Sequence, residues 1–269
     1  MQFALVNGIK TEAIPGGKGI CSCCGSETIA KCGNYKIWHW SHKSRKNCDS
    51  WWENETEWHR QWKSYFPIEN REVIQFDPVS GEKHIADVKT SNQMVIEFQN
   101  SPIDIKELQS RERFYQKMIW IVNGEKFKNN FFILSPLPNP DCEFAKDIVF
   151  KKQKAGNYKN GLFKKTEGGA VCKIELLFYR KSEKIVDSST GVQTSVRYHP
   201  GYEIEDEIAN NYIGHHILDW KKPISVWFFS QKPVFFDFGD SALWWLQDYN
   251  DSDLLCVRKI EKQVRFFST

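Results

Sequence analysis

The chain has 269 residues, a formal net charge of +3, 41% hydrophobic and 26% charged residues, and a mean hydropathy of −0.55. That composition supports a sizeable core, excludes a disordered chain and offers no apolar stretch near the roughly 20 residues that a membrane-spanning helix needs. The opening Met1-Gln2-Phe3-Ala4 lacks the charged-then-apolar pattern of a signal peptide, so the chain is expected in the cytoplasm with no membrane partner.

Residues 1–20 read as a strand through Phe3, Leu5 and Val6, followed by the turn Pro15-Gly16-Gly17-Lys18-Gly19. This glycine run lacks the Gly-Lys-Ser/Thr ending of a phosphate loop, and no helix signal follows it. Residues 21–50 hold five of the eight cysteines: Cys21, Cys23, Cys24, Cys32 and Cys48. In a reducing compartment such a cluster points to metal rather than to disulfides. Cys21 and Cys24 form a C-x2-C pair, and His39 and His42 form H-x2-H after 14 intervening residues, a set that suits tetrahedral zinc. Because the histidine spacing is short, Cys48 is an alternative to one histidine, with Cys23 and Cys32 weaker candidates. Zinc held by four protein ligands is structural, since no position stays open for water. Lys43, Arg45 and Lys46 lie beside Trp38 and Trp40, a mixture of cations and aromatics that suits phosphate contact and base stacking.

From residue 51 to 125 the pattern is helix, three strands, helix and strand. Asn54 is the expected N-cap of a helix running to Pro67, with Glu55, His59 and Lys63 spaced to share one face. Strands are expected at 71–76, 83–89 and Met94–Gln99, the first two joined by the turn Asp77-Pro78-Val79-Ser80-Gly81. Asp104 caps a second helix reaching Lys117, with Glu107 completing a capping box, and Ile119–Val122 reads as a buried strand. Residues 126–269 read as an α+β region. Strands are expected at Lys173–Tyr179, Ser225–Phe229 and Val234–Phe238, and helices at Tyr202–Tyr212 and Ser241–Asp248. The lysines of 151–165 form a second basic run, while His199, His215 and His216 lack a convincing partner set and read as structural. The three parts are thus 1–50, 51–125 and 126–269.

Metal-assisted cleavage of a phosphodiester needs hard oxygen ligands close together, and two adjacent strands can supply them. Asp87 near the end of one strand and Glu97 within the next are the candidate ligands for Mg²⁺ or Mn²⁺, with Gln99 on the same face as Glu97. Acids in strands are often only solvent-facing. Here Met94, Val95, Ile96 and Phe98 surround Glu97, and an acid in so apolar a run requires a partner or a metal. Arg111 and Arg113 on the following helix are candidates either for phosphate contact or for surface pairing, and Lys63 is a further phosphate-binding candidate.

The segments His84-Ile85-Ala86-Asp87-Val88, Val95–Ile103, Arg111–Tyr115 and Trp120–Gly124 resemble the CoiA-like competence proteins. Trp38–Lys43, Glu55–His59 and Trp62-Lys63 carry the same resemblance, which covers residues 21–124. It implies a restriction-endonuclease-like αβββαβ core of the PD-(D/E)xK type and a metal-dependent deoxyribonuclease acting on DNA, in uptake, recombination or phage defence. It also implies that Asp87 and Glu97 are metal ligands, that Glu55 is an additional acid, and that Gln99 stands where the superfamily has lysine. Glutamine can hydrogen-bond but carries no charge, which leaves Lys63 and Lys89 as candidates for the missing cation. The rival expectations are a DNA-binding protein on a nuclease scaffold and an interaction protein whose zinc module docks a recombination or defence partner.

Overall fold

A computed structural model of the chain describes residues 1–43, 48–51, 55–152, 163–165, 171–173, 176–183, 185–186, 189, 193–250 and 254–262. The fold is mixed α/β, mostly sheet with few helices, and divides into two compact units. The first comprises residues 1–124, 224–237 and 262–269, and the second 125–223 and 238–261. No helix among the described residues is long and apolar enough to cross a membrane.

The first unit begins with a five-stranded antiparallel sheet built from β1 (Phe3–Val6), β2 (Ile9–Glu12), β3 (Lys18–Ile20), β4 (Glu27–Lys31) and β5 (His39–His42), in the order β2-β1-β3-β4-β5. Asn7 and Gly8, both with positive φ, make the two-residue turn that pairs Val6 with Ile9, because their twist matches that of the flanking strands. Trp40, 1% exposed, packs with Met1, Ala4, Ala13, Cys21 and Cys23 to form the small core.

The expected order of helix, three strands, helix and strand follows. It consists of α1 (Glu57–Ser64), β6 (Arg71–Phe76), β7 (Lys83–Lys89), β8 (Val95–Gln99), α2 (Ile105–Tyr115) and β9 (Met118–Asn123). β6, β7 and β8 pair antiparallel, β8 and β9 parallel, and the strand Val234–Asp237 adds parallel to β9. The N-cap of α1 is Thr56, whose hydroxyl accepts the His59 N–H; Asn54 lies outside the described residues. Asp104 caps α2 as expected, accepting the N–H groups of Lys106 and Glu107 at 2.8 and 2.9 Å.

In the second unit, strands Phe131–Pro136, His215–Trp220, Leu255–Glu261 and Ala242–Asp248 pair antiparallel in that order. A smaller sheet of Ile148–Lys152, Leu176–Arg180 and His199–Pro200 shares a core with helix Glu205–Asn210 through Phe150, Phe178, Ile208 and Tyr249. Two expectations reverse. Ala242–Asp248 is a strand rather than a helix, because its β-prone Trp244 and Trp245 find a full-length partner in Leu255–Glu261. In the first unit, Ser225–Phe229 is a 3₁₀ turn rather than a strand. Only Trp227 of that run is inserted, edge-on to Trp120 at 5.6 Å, while Phe228 and Phe229 stay exposed.

Candidate active site and metal cluster

The site grows from a register. β6 and β7 pair Arg71 with Val88 and Val73 with Ala86, which sets Glu72 opposite Asp87. β7 and β8 pair Val88 with Ile96 and Lys89 with Val95, which sets Asp87 opposite Glu97. Three acids thus cross three neighbouring strands in one row. Side chains take over the hydrogen bonding there: the Asp87 carboxylate accepts the Phe98 N–H at 3.0 Å, and the Glu97 carboxylate accepts the Asp87 N–H at 3.2 Å. Glu72 adopts φ of +45°, a costly conformation for a residue with a side chain and one that collects at functional sites.

Helix α1 delivers a cation into this row. Lys63 is 1% exposed, and its ammonium lies 2.9 Å from Glu55, 3.1 Å from Glu72 and 3.7 Å from Asp87. Burial works against that charge, but Glu72, Glu55 and Asp87 hold the lysine well above its usual range. Glu72 is likewise resisted by burial. The Lys63 charge and the N–H groups of Gln2 and Phe3, which donate to its carboxylate at 2.7 and 3.1 Å, nevertheless bring it down to about 2. His59, on the same helix face, accepts the Thr56 hydroxyl at Nδ1 (2.7 Å) and donates from Nε2 to the Phe98 carbonyl (3.0 Å). This network assigns the ring tautomer.

A second cation arrives from α2. Arg111, 5% exposed, donates to Glu97 at 3.0 Å and to the Trp51 carbonyl at 2.7 Å, and also pairs with Glu107. Glu97 is pushed up to about 8, first by burial and then by the neighbouring Asp87 charge, with Arg111 opposing both. Burial also raises Asp87, against the pull of Lys63. Glu55, Lys63, Glu72, Asp87, Glu97 and Arg111 line a cavity of about 80 Å³, room for several water molecules.

The other expected residues lie elsewhere. Gln99 is buried, with its amide donating to the Ser101 carbonyl at 3.0 Å, and Lys89 bonds Gln75 at 2.7 Å. Arg113 is exposed, and Lys43 pairs with Glu27 on the surface. Arg45 and Lys46, with Lys154 and Lys159 of the second basic run, lie outside the described residues. Glu72 was not among the residues singled out in the sequence. Its place in a strand-like run was legible, but its positive φ and its position opposite Asp87 were not.

The cysteine cluster resolves the ambiguity left by spacing. Ligand atoms of Cys21, Cys24, His42 and Cys48 lie within 4.8 Å of one another, with the Cys21 and Cys48 sulfurs 3.8 Å apart. A zinc–sulfur bond of about 2.3 Å implies a tetrahedral sulfur–sulfur edge of about 3.8 Å, so the Cys₃His set is compatible with a structural zinc site. His39 does not belong to it. Residues three apart in a strand face opposite sides, so β5 can present only one of its two histidines, and the His39 ring bonds the Ile37 carbonyl instead. Gly25, at φ of +70°, closes the knuckle by donating its N–H to the Cys21 carbonyl at 2.9 Å. For the carboxylates, hard oxygens of Asp87 and Glu97 on adjacent strands match what Mg²⁺ or Mn²⁺ takes from protein when phosphate oxygens and water complete the shell. Burial and repulsion by neighbouring carboxylates make both weaker acids, an effect that a bound cation would relieve.

Two family descriptions match the chain: "Competence protein CoiA, N-terminal domain" over residues 16–50 and "Competence protein CoiA, nuclease-like domain" over residues 83–139. Over these two segments the chain is similar to the CoiA competence proteins. No curated protein and no solved structure matches it. The CoiA N-terminal match spans all four members of the Cys₃His cluster, and the CoiA nuclease-like match spans Asp87, Glu97 and Arg111. Glu55, Lys63 and Glu72 fall between the two matches, and only the folded arrangement joins them to the CoiA nuclease-like segment.

Proposed function

We propose that this CoiA-like chain is a divalent-metal-dependent deoxyribonuclease on a restriction-endonuclease-like, PD-(D/E)xK core, acting on DNA in uptake, recombination or defence. The observation that carries this reading is the burial of Lys63 among Glu55, Glu72 and Asp87. The charge absent at Gln99 is supplied from helix α1 instead. Asp87 and Glu97 would hold Mg²⁺ or Mn²⁺. Such a cation, when bound, supplies Lewis acidity at a phosphate oxygen and acidifies water. Lys63 keeps a fixed positive charge beside Asp87, where negative charge grows on the phosphate as the bond to the attacking oxygen forms. Glu55 and Glu72, at 2.9 and 3.1 Å, orient that ammonium beside Asp87. Arg111 holds one Glu97 oxygen and favours its ionised form against burial. The Cys₃His cluster would hold a structural zinc.

A second reading, a DNA-binding protein whose cleavage power is lost, is favoured by one observation. The Gln99 amide is committed to the Ser101 carbonyl and offers the reacting centre no cation. Purified protein incubated with single-stranded, duplex and branched DNA in Mg²⁺, Mn²⁺ or EDTA separates the two. Cleavage that requires the cation and disappears in Asp87→Ala supports the nuclease. Salt-sensitive binding with no cleavage of any DNA form supports the second reading.

A further inference from the structure

The cavity that holds the carboxylates is also lined by His42 and Cys48, two members of the Cys₃His cluster. The residues that follow Cys48 connect the two by direct hydrogen bonds. The Asp49 carboxylate accepts the Ile85 N–H at 2.8 Å and a ring N–H of His84 at 2.8 Å, gripping β7 just before Asp87. It also accepts the Trp51 N–H at 2.9 Å, which fixes its own loop. The Trp51 ring stacks on His84 with centroids 3.2 Å apart and planes 9° from parallel. The Trp51 carbonyl then accepts from Arg111, and the other end of the same guanidinium fork holds Glu97. Arg111 therefore spans the cluster loop and the carboxylate row, and Asp49 fixes the strand that carries Asp87.

We propose that Asp49 and Arg111 are positioning residues that couple the Cys₃His cluster to the carboxylate row, so that zinc in the cluster and a divalent cation at Asp87 and Glu97 strengthen each other's binding. This rests on the metal reading of both sites. Zinc would bind the three cysteines as thiolates, releasing their protons, together with the His42 imidazole, and would so fix Cys48; without that constraint the 48–51 segment would hold the partners of β7 and Arg111 less firmly. Residues that orient metal ligands from behind typically change metal affinity by about ten- to a hundredfold when lost. Coupling between two binding equilibria is reciprocal, so it can be read from the zinc side without any measurement of activity.

The test is the zinc affinity of the full chain, measured by competition with a zinc-selective chelator with and without saturating Mg²⁺, alongside calorimetry of Mg²⁺ binding to the zinc-loaded protein. Mg²⁺ is expected to tighten zinc by about tenfold in the wild type and by less than about threefold in Asp49→Ala. Should Asp49→Ala not fold, Arg111→Lys provides the same test. It keeps the charge but has no fork to bridge Glu97 and the Trp51 carbonyl, and the same loss of coupling is expected. Zinc affinity indifferent to Mg²⁺, while calorimetry shows Mg²⁺ binding that Glu97→Gln abolishes, overturns the coupling and leaves the carboxylate reading standing. An undiminished Mg²⁺ effect in either folded variant overturns the roles of Asp49 and Arg111. No Glu97-dependent Mg²⁺ binding in zinc-loaded wild type removes the carboxylate metal reading and the coupling together.

Discussion

Replacing Lys63 with methionine keeps most of the side-chain volume and removes the charge that three carboxylates share. With Glu55, Glu72 and Asp87 at 2.9, 3.1 and 3.7 Å, each attraction is worth roughly 4–6 kcal/mol at an effective dielectric constant of about 20. Desolvation of a lysine 1% exposed offsets most of that sum, as it does for buried ion pairs generally. Deleting one partner of such a group still costs about 3–5 kcal/mol, because the remaining charges are left buried and uncompensated. Lys63→Met should therefore destabilise the first unit by that amount at pH 7, measured by urea unfolding followed through tryptophan fluorescence. The loss should shrink toward pH 5. Wild-type Glu72 titrates near 2 and stays ionised throughout this range. Without Lys63 its carboxyl is governed by burial, its folded pKa rises above the unfolded value, and the variant folds more favourably as protons are supplied. Added Mg²⁺ should also recover part of the loss by taking the place of the missing cation. A cost below about 1 kcal/mol at pH 7, or an equal cost at pH 5 and pH 7, would refute the reasoning.

Three further outcomes follow from the same geometry. Glu72→Gln should cost about 3 kcal/mol at pH 7, because a depressed acid stabilises the fold above its unfolded pKa; the difference from wild type should vanish as pH falls from 4.5 toward 2, as urea melts at pH 7, 4 and 3 will show. Because Glu97 is raised to about 8, Mn²⁺ affinity measured by calorimetry should rise about tenfold per pH unit between 6 and 8 and level off above, and a flat profile would count against Glu97 as a ligand. Zinc content measured by elemental analysis should fall sharply in Cys48→Ser and stay unchanged in His39→Ala; the opposite pattern would reinstate His39.

Much of the site was legible because its chemistry is local. The apolar run around Glu97 made an ionisable residue there conspicuous, and the caps, turns and period-two runs between residues 71 and 123 placed Asp87 and Glu97 on neighbouring strands. Helical spacing also put His59 and Lys63 on one buried face, although Glu55 reaches Lys63 from before the N-cap. What stayed hidden depends on long-range register or on backbone conformation. Glu72 joins the row only because β6 pairs with β7 and its own φ is positive. Asp49 and Trp51 matter through partners 35 to 60 positions away. Cysteine spacing left His39 and Cys48 as alternatives because it does not say whether His39 and His42 sit on a helix or a strand. In the second unit the aromatic run at Trp244 and Trp245 read as a helix because its strand partner, Leu255–Glu261, lies beyond the local window.

The most direct measurement is single-turnover cleavage of labelled DNA by zinc-loaded wild type and by a folded Glu97→Gln variant, each in Mg²⁺ and in EDTA. The proposed chemistry predicts cleavage by the wild type in Mg²⁺ alone, with a loss on the order of a hundredfold or more in Glu97→Gln. Cleavage that persists in EDTA, equal rates for the two proteins, or no cleavage of any DNA form by the wild type would contradict it.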